Sequence, residues 1–227
     1  MRLSNGCATS HARRGVRRFC VTAVAVAAFF STAGLGSAQS NEQQPAPPRE
    51  HRATAAAKFL AGGALGLAAH ESGHLLFDGI FDAHARLEKV SFHGLPFFAI
   101  THDPGLSPRR EFVIDSAGFW VQQVSNEILL TQRPDLRNAH APVLKGVFAF
   151  NVLASVAYAG AAFARTGPVE RDTLGMASSL RWKEPVIGAI ILAPAILDAV
   201  RFFHPDAKWA AWGSRGAKAG MVLLVLR

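Results

Sequence analysis

LGLAAHESGHLLFDGIF, Leu65–Phe81, is the stretch that decides the fold. With the apolar run leading in from Ala55, it has the length and composition of a helix crossing a bilayer, which takes roughly 20 residues. Inside it stand His70, Glu71, His74 and Asp78. Ionisable groups are costly at membrane depth and are kept there when they share a partner. His70-Glu71-Ser72-Gly73-His74 is an H-E-x-x-H sequence. Residues four apart lie on one face of a helix, about 6 Å apart along its axis, so both imidazoles reach one metal ion. Glu71, about 100° round the helix, stays outside the ligand set but beside it. There a carboxylate can take a proton from an attacking water and return it to a leaving amine. Zinc fits two imidazoles and calls for at least one further N or O ligand.

Working outward, three more apolar stretches approach spanning length: Phe112–Leu130, Val143–Phe163 and Pro185–Phe203. A fifth, Ala217–Leu226, is too short to span unless it extends back through Trp209–Trp212, and reads as a partial or interfacial helix. Between the first two stretches, alternation through Val90-Ser91-Phe92-His93 and the Gly94-Leu95-Pro96 break predict a short β-hairpin within Arg86–His102. Such a hairpin must be buried in protein or lie at the interface, because lipid cannot satisfy its edges. The expected fold is therefore all-α: a polytopic transmembrane bundle of about four spans with a small β-hairpin insertion.

Composition agrees with a membrane location. Of the 227 residues, 50% are hydrophobic and only 18% charged, against about 25% charged in soluble domains. The formal charge of +8 is concentrated at the start, where residues 1–38 hold Arg2, Arg13, Arg14, Arg17 and Arg18 and no acid. Subtracting those five leaves +3 for the rest. No basic stripe is interleaved with aromatics, so nucleic acid is not an expected partner. Residues 1–38 read as a signal peptide or signal anchor, with a basic start, an apolar run from Phe19 and small residues Gly36 and Ala38 at the cleavage positions. Cys7 and Cys20 both lie in this leader, so a cleaved product has no cysteine and no disulfide. Residues 39–54 form a polar, proline-rich linker, and 55–227 the membrane-embedded domain. These features place the chain in a bacterial-type inner (plasma) membrane, multi-pass, with its mature N-terminus outside.

The H-E-x-x-H in the first core helix, the β-rich insertion and the Ala-Gly of DSAGFWVQQ opening the next helix resemble the site-2 protease family of intramembrane zinc metalloproteases. The resemblance covers about residues 55–203. It implies cleavage of a membrane-protein or peptide substrate in or near a transmembrane segment, with Zn2+ held by His70, His74 and an aspartate from a later helix, and with Glu71 as the catalytic base. Leu197-Asp198-Ala199-Val200-Arg201, after Pro194, offers Asp198 for that aspartate, although Ala199 and Val200 stand where the family has glycines. FNVLASVAYAG, Phe150–Gly160, resembles the same segment but has Ala159 at the acidic position. Depth is compatible with Asp198. The histidine pair is centred about 14 Å from the inner end of its helix and Asp198 about 20 Å from the start of its own, a difference tilt can absorb.

Two rivals remain open. Asp172, in GPVERDTLGMA, needs a re-entrant turn to reach the histidines, and Glu127, in SNEILL, is similar to the Asn-Glu ligand helix of soluble zincins. Asp78 reads either as a hydrogen-bond partner of a ligand histidine or as a wet helix end. Gln122, Gln123 and Asn126 read as a substrate-binding stripe or as interhelical contacts. The alternative class is a catalytically inactive, protease-like membrane scaffold or metal-binding partner.

Overall fold

The computed structural model describes residues 51–92 and 95–226. The leader expected at 1–38 and the linker up to residue 50 lie outside the described residues. Helix α1 (Arg52–Phe81) is followed by an antiparallel hairpin of β1 (Arg86–Phe92) and β2 (Leu95–Thr101). Then come α2 (Pro108–Gln132), α3 (Pro142–Ala164), a short α4 (Asp172–Leu180), α5 (Glu184–Phe203) and α6 (Lys208–Leu226). The last residues assigned to the linker, 52–54, belong to α1 instead. The fifth apolar stretch does extend back through Trp209 and Trp212, giving α6 its 19 residues.

The helix boundaries follow from local chemistry. Proline occupies the first turn of α2, α3 and α5, where its missing N–H costs nothing. Helices α1, α3 and α4 end on a left-handed residue: Asp82, Arg165 and Arg181 in turn, each returning its N–H to the last helical turn. The hairpin register runs from Arg86 opposite Thr101 to Phe92 opposite Leu95. The Asp103 N–H donates to the Ala83 carbonyl and ties the hairpin's exit to the end of α1.

Helix α1 packs between α2 and α3, and glycine sets how closely. A Cβ on Gly62 would collide with the Val143 carbonyl, and one on Gly146 with the Phe59 carbonyl, so the backbones of α1 and α3 touch. The buried stripe of α1 is Gly62, Gly66, His70, Gly73, His74 and Asp78, while Leu60, Leu65, Leu67 and Leu75 face outward. The helix is thus polar inside and apolar outside, the reverse of a soluble amphipathic helix. The same inversion holds elsewhere. Ser116, Gln122, Gln123, Asn126, Asn151, Asp198 and Arg201 are buried, and Leu153, Val156, Phe163, Val186, Ile196, Trp209 and Trp212 are exposed. Two clusters account for most of the large buried apolar side chains among the described residues. One, around Phe112, Phe119, Met176, Ile187 and Ile191, seats α4 against α2 and α5. The other gathers Leu130, Leu136 and Phe148.

Mostly helical architecture with one small hairpin is what the sequence predicts. On length and apolarity, however, two helices among the described residues qualify to cross a membrane, α3 and α5, rather than four. Glycine, histidine and acidic residues dilute α1, and Gln122, Gln123, Asn126 and Glu127 dilute α2.

Candidate metal centre

Helix α1 sets His70 and His74 one turn apart with their Nε2 atoms 3.2 Å from each other. Helix α2 supplies the wall behind them. The Ile114 carbonyl lies 2.8 Å from His74 Nδ1 and accepts its N–H, which directs Nε2 toward His70 and Asp172. The His70 ring lies directly over Gly118, where any Cβ would enter the ring. It meets Phe119 edge-on at 5.5 Å and stacks on Tyr158 of α3 at 6.0 Å between centroids. Both histidines are buried, at 2% and 6% exposure.

The third group is Asp172, the first residue of α4. Its Oδ2 is 3.3 Å from His70 Nε2 and 3.6 Å from His74 Nε2. Among the described residues, His70, His74 and Asp172 form the group with ligand atoms close enough to share a cation. The triangle has sides of 3.2, 3.3 and 3.6 Å. A tetrahedral ion with ligand bonds of roughly 2.0–2.1 Å has edges of about 3.4 Å. The spacing of the three atoms is therefore compatible with their sharing one tetrahedral cation. Burial by itself raises the Asp172 carboxyl; the His74 and His70 imidazoles beside it outweigh that and hold it well below the usual carboxylate range. Asp172 thus meets the histidines as an anion.

The triangle opens on a cavity of about 260 Å³. Its lining includes Glu71, His74, Asp172 and Tyr158, apolar residues of the hairpin and α3 such as Phe98 and Ala161, and the loop before α4 with Glu170 and Arg171. Glu71, outside the triangle, faces the same space as two of its ligands. Tyr158 presents its hydroxyl to the Asp172 carboxylate.

Asp198, the expected third ligand, is elsewhere. It is fully buried between α5 and α6, where Ser214 Oγ donates to it at 2.6 Å, Arg201 Nη1 at 3.1 Å and Lys218 Nζ at 3.0 Å. Glu127 joins the same network through Arg201, Arg215 and Lys218. The correction has a simple physical cause. Its depth along α5 does not exclude it; Arg201 of α5 and Lys218 of α6 claim its carboxylate instead. Asp172 needs no long helix, because α4 re-enters the bundle as a nine-residue helix with Thr173, Met176 and Ala177 buried. That re-entrant turn is the condition its candidacy required.

Asp78 is not a wet helix end, and its carboxylate makes no hydrogen bond to His74. It is buried, 3.5 Å from His102 Nδ1, while His102 Nε2 lies 2.7 Å from Glu111. In the polar stripe of α2, Asn126 accepts a hydrogen bond from Asn151 of α3 at 2.8 Å, and so acts between helices. The side chains of Gln122 and Gln123 are buried with no partner among the described residues. Tyr158 was not singled out from sequence, although it is the only tyrosine in the chain. Its signal was its place in an apolar helix, where a phenol needs a polar neighbour. Comparison of the chain with protein-family models, with curated proteins and with solved structures returned no match.

Proposed function

We propose that this protein is a multi-pass membrane zinc metallopeptidase, similar to the site-2 protease family, that hydrolyses a peptide bond in or beside a transmembrane segment. The observation that carries the reading is the triangle of His70, His74 and Asp172 opening, together with Glu71, onto one cavity. The inverted polarity of the bundle supports the membrane setting, because an apolar outer face of this extent on a free monomer in water would aggregate. In this reading α1, α2, α3 and α5 all cross a bacterial-type plasma membrane. The short polar stretches of α1 and α2 are accommodated because they face protein rather than lipid.

A zinc ion on the triangle would act as a Lewis acid on the scissile carbonyl and bring the pKa of the attacking water to about 7. The remaining work falls to this chain's own side chains. Glu71 takes the proton from that water and passes it to the departing amine. The Ile114 carbonyl fixes the tautomer of His74, and Gly118 and Phe119 fix the orientation of the His70 ring, so the rings need little reorganisation as the reaction proceeds. The hairpin borders the cavity, and each of its strands has one edge without a strand partner among the described residues. An extended substrate segment can pair with such an edge. A transmembrane substrate must first unwind locally, since helical carbonyls are already hydrogen-bonded.

The test is metal content and cleavage measured on the same material. Purified full-length chain in detergent should hold one zinc and cut a transmembrane reporter substrate. Glu71→Gln should retain the zinc and lose the cleavage, and His74→Ala should lose both. A wild-type protein without zinc affinity, or a Glu71→Gln variant that cuts normally, refutes the proposal. A zinc-loaded protein that cuts nothing and is indifferent to Glu71 is a metal-binding scaffold instead.

A further inference from the structure

Asp172 does not sit on a long, rigid helix as His70 and His74 do. It follows the loop 165–171 and begins a helix of nine residues. A ligand on so short a support needs something else to fix it, because metal–ligand distances tolerate only about ±0.2 Å. The residues on either side of it supply that support. Arg171 and Thr173 both donate to Glu184, the first residue of α5. Arg171 Nε reaches Glu184 Oε1 at 2.7 Å and Arg171 Nη2 reaches Oε2 at 2.7 Å, a two-pronged pair. Thr173 Oγ1 donates to Glu184 Oε1 at 2.8 Å. The remaining guanidinium nitrogen, Nη1, donates to the Pro168 carbonyl at 2.8 Å and the Gly167 carbonyl at 3.3 Å, holding the loop on the cavity side. Gly167 has φ +121°, a conformation open to glycine, and its carbonyl can face Arg171 for that reason. Glu184 is buried, and so is Thr173.

We propose that Glu184 is a positioning residue for the metal centre: through Arg171 and Thr173 it grips the backbone on both sides of Asp172 and sets where that carboxylate stands relative to the two imidazoles. The inference rests on the metal-centre reading above. A buried ion pair adds little net stability compared with apolar packing. The geometry of a planar, two-pronged pair is its distinctive contribution, and it fixes both distance and orientation. Groups that orient a metal ligand in this way typically change metal affinity 10–100-fold when removed.

The experiment measures zinc dissociation constants by competition with a chromophoric chelator, on the full chain in micelles, for Glu184→Gln in two backgrounds. With Asp172 present, Glu184→Gln should weaken zinc by about 10–100-fold. In an Asp172→Ala background, where Glu184 has no ligand to position, the same change should alter affinity by less than about threefold. Equal losses in the two backgrounds, or no loss in the first, overturn the proposal, since a merely structural residue would not act through Asp172. If Glu184→Gln fails to fold, Thr173→Val removes one of the three bonds. It should weaken zinc several-fold with Asp172 present and leave it unchanged without it; no difference between backgrounds overturns the proposal. A wild-type chain that binds no zinc refutes the metal centre itself, whereas tight binding by wild type and Glu184→Gln alike refutes only the positioning role.

Discussion

Replacing Gly118 by alanine separates the needs of the fold from those of the site. A Cβ built at this position lies 2.6 Å from His70 Nδ1 and closer still to two other ring atoms. Ordinary van der Waals contact begins near 3.4 Å, so the ring must retreat by about 1 Å. A zinc ligand can be displaced by only about 0.2 Å before its bond weakens seriously. His70 is therefore lost as a ligand, and zinc affinity should fall at least 100-fold, a change of at least about 2.7 kcal/mol. The helix itself favours the substitution, since alanine is about 1 kcal/mol better than glycine in a helix interior. Crowding against the ring costs about 1–3 kcal/mol. The zinc-free protein should consequently lose no more than about 2 kcal/mol. Chelator competition reads the first quantity and denaturant or thermal unfolding in micelles the second. Gly63→Ala, at a position with open space around the added methyl, is the control and should leave zinc binding unchanged. A Gly118→Ala protein that binds zinc as tightly as the wild type would refute the argument, because it would mean that the His70 ring is not where the ligand must be.

Three further outcomes follow from the same geometry. Asp172→Asn should abolish tight zinc binding with little effect on folding, whereas Asp198→Asn should cost about 3–5 kcal/mol of stability by leaving Lys218 and Arg201 short of a counter-charge, with zinc affinity unchanged in the folded fraction; metal titration beside thermal unfolding distinguishes them. Ala161→Leu puts bulk into the 260 Å³ cavity and should lower cleavage of substrates with large side chains at the cut site by about 10–200-fold, while metal content stays the same by elemental analysis. Asn151→Ala breaks the bond to Asn126 between α3 and α2 and should cost about 0.6–2 kcal/mol, read from unfolding curves without change in zinc content.

Much of this was legible in the sequence because it is local. Four-residue spacing alone puts His70 and His74 on one helical face, and the Gly94-Leu95-Pro96 break announces the hairpin. What was not legible is what depends on tertiary pairing. Asp172 and Asp198 are both aspartates beside apolar runs. What separates them is that Lys218, Arg201 and Ser214 converge on one and two imidazoles on the other. None of those partners is implied by its neighbours in the chain, apart from Arg201, three residues from Asp198. Helix α4 was missed for a related reason. DTLGMASSL carries glycine and two serines and is too short to show a period, so it is helical because Met176 and Ala177 are packed against α2 and α5. The four expected spans also rested on composition. His70, His74 and Asp78 in α1 and Gln122, Gln123 and Asn126 in α2 lower the apolarity of their helices although they are buried, so composition alone understates how apolar the outer faces of these helices are.

The distance along the chain between the histidines and their carboxylate has a consequence for biosynthesis. Asp172 lies 102 positions beyond His70. In the proposed reading, a nascent chain long enough to contain α1, the hairpin and α2 still lacks a complete ligand set. Competence to hydrolyse would then arrive only when α4 folds back and α5 has emerged to anchor it, so that an unfinished or truncated product of the proposed peptidase would reach the bilayer harmless.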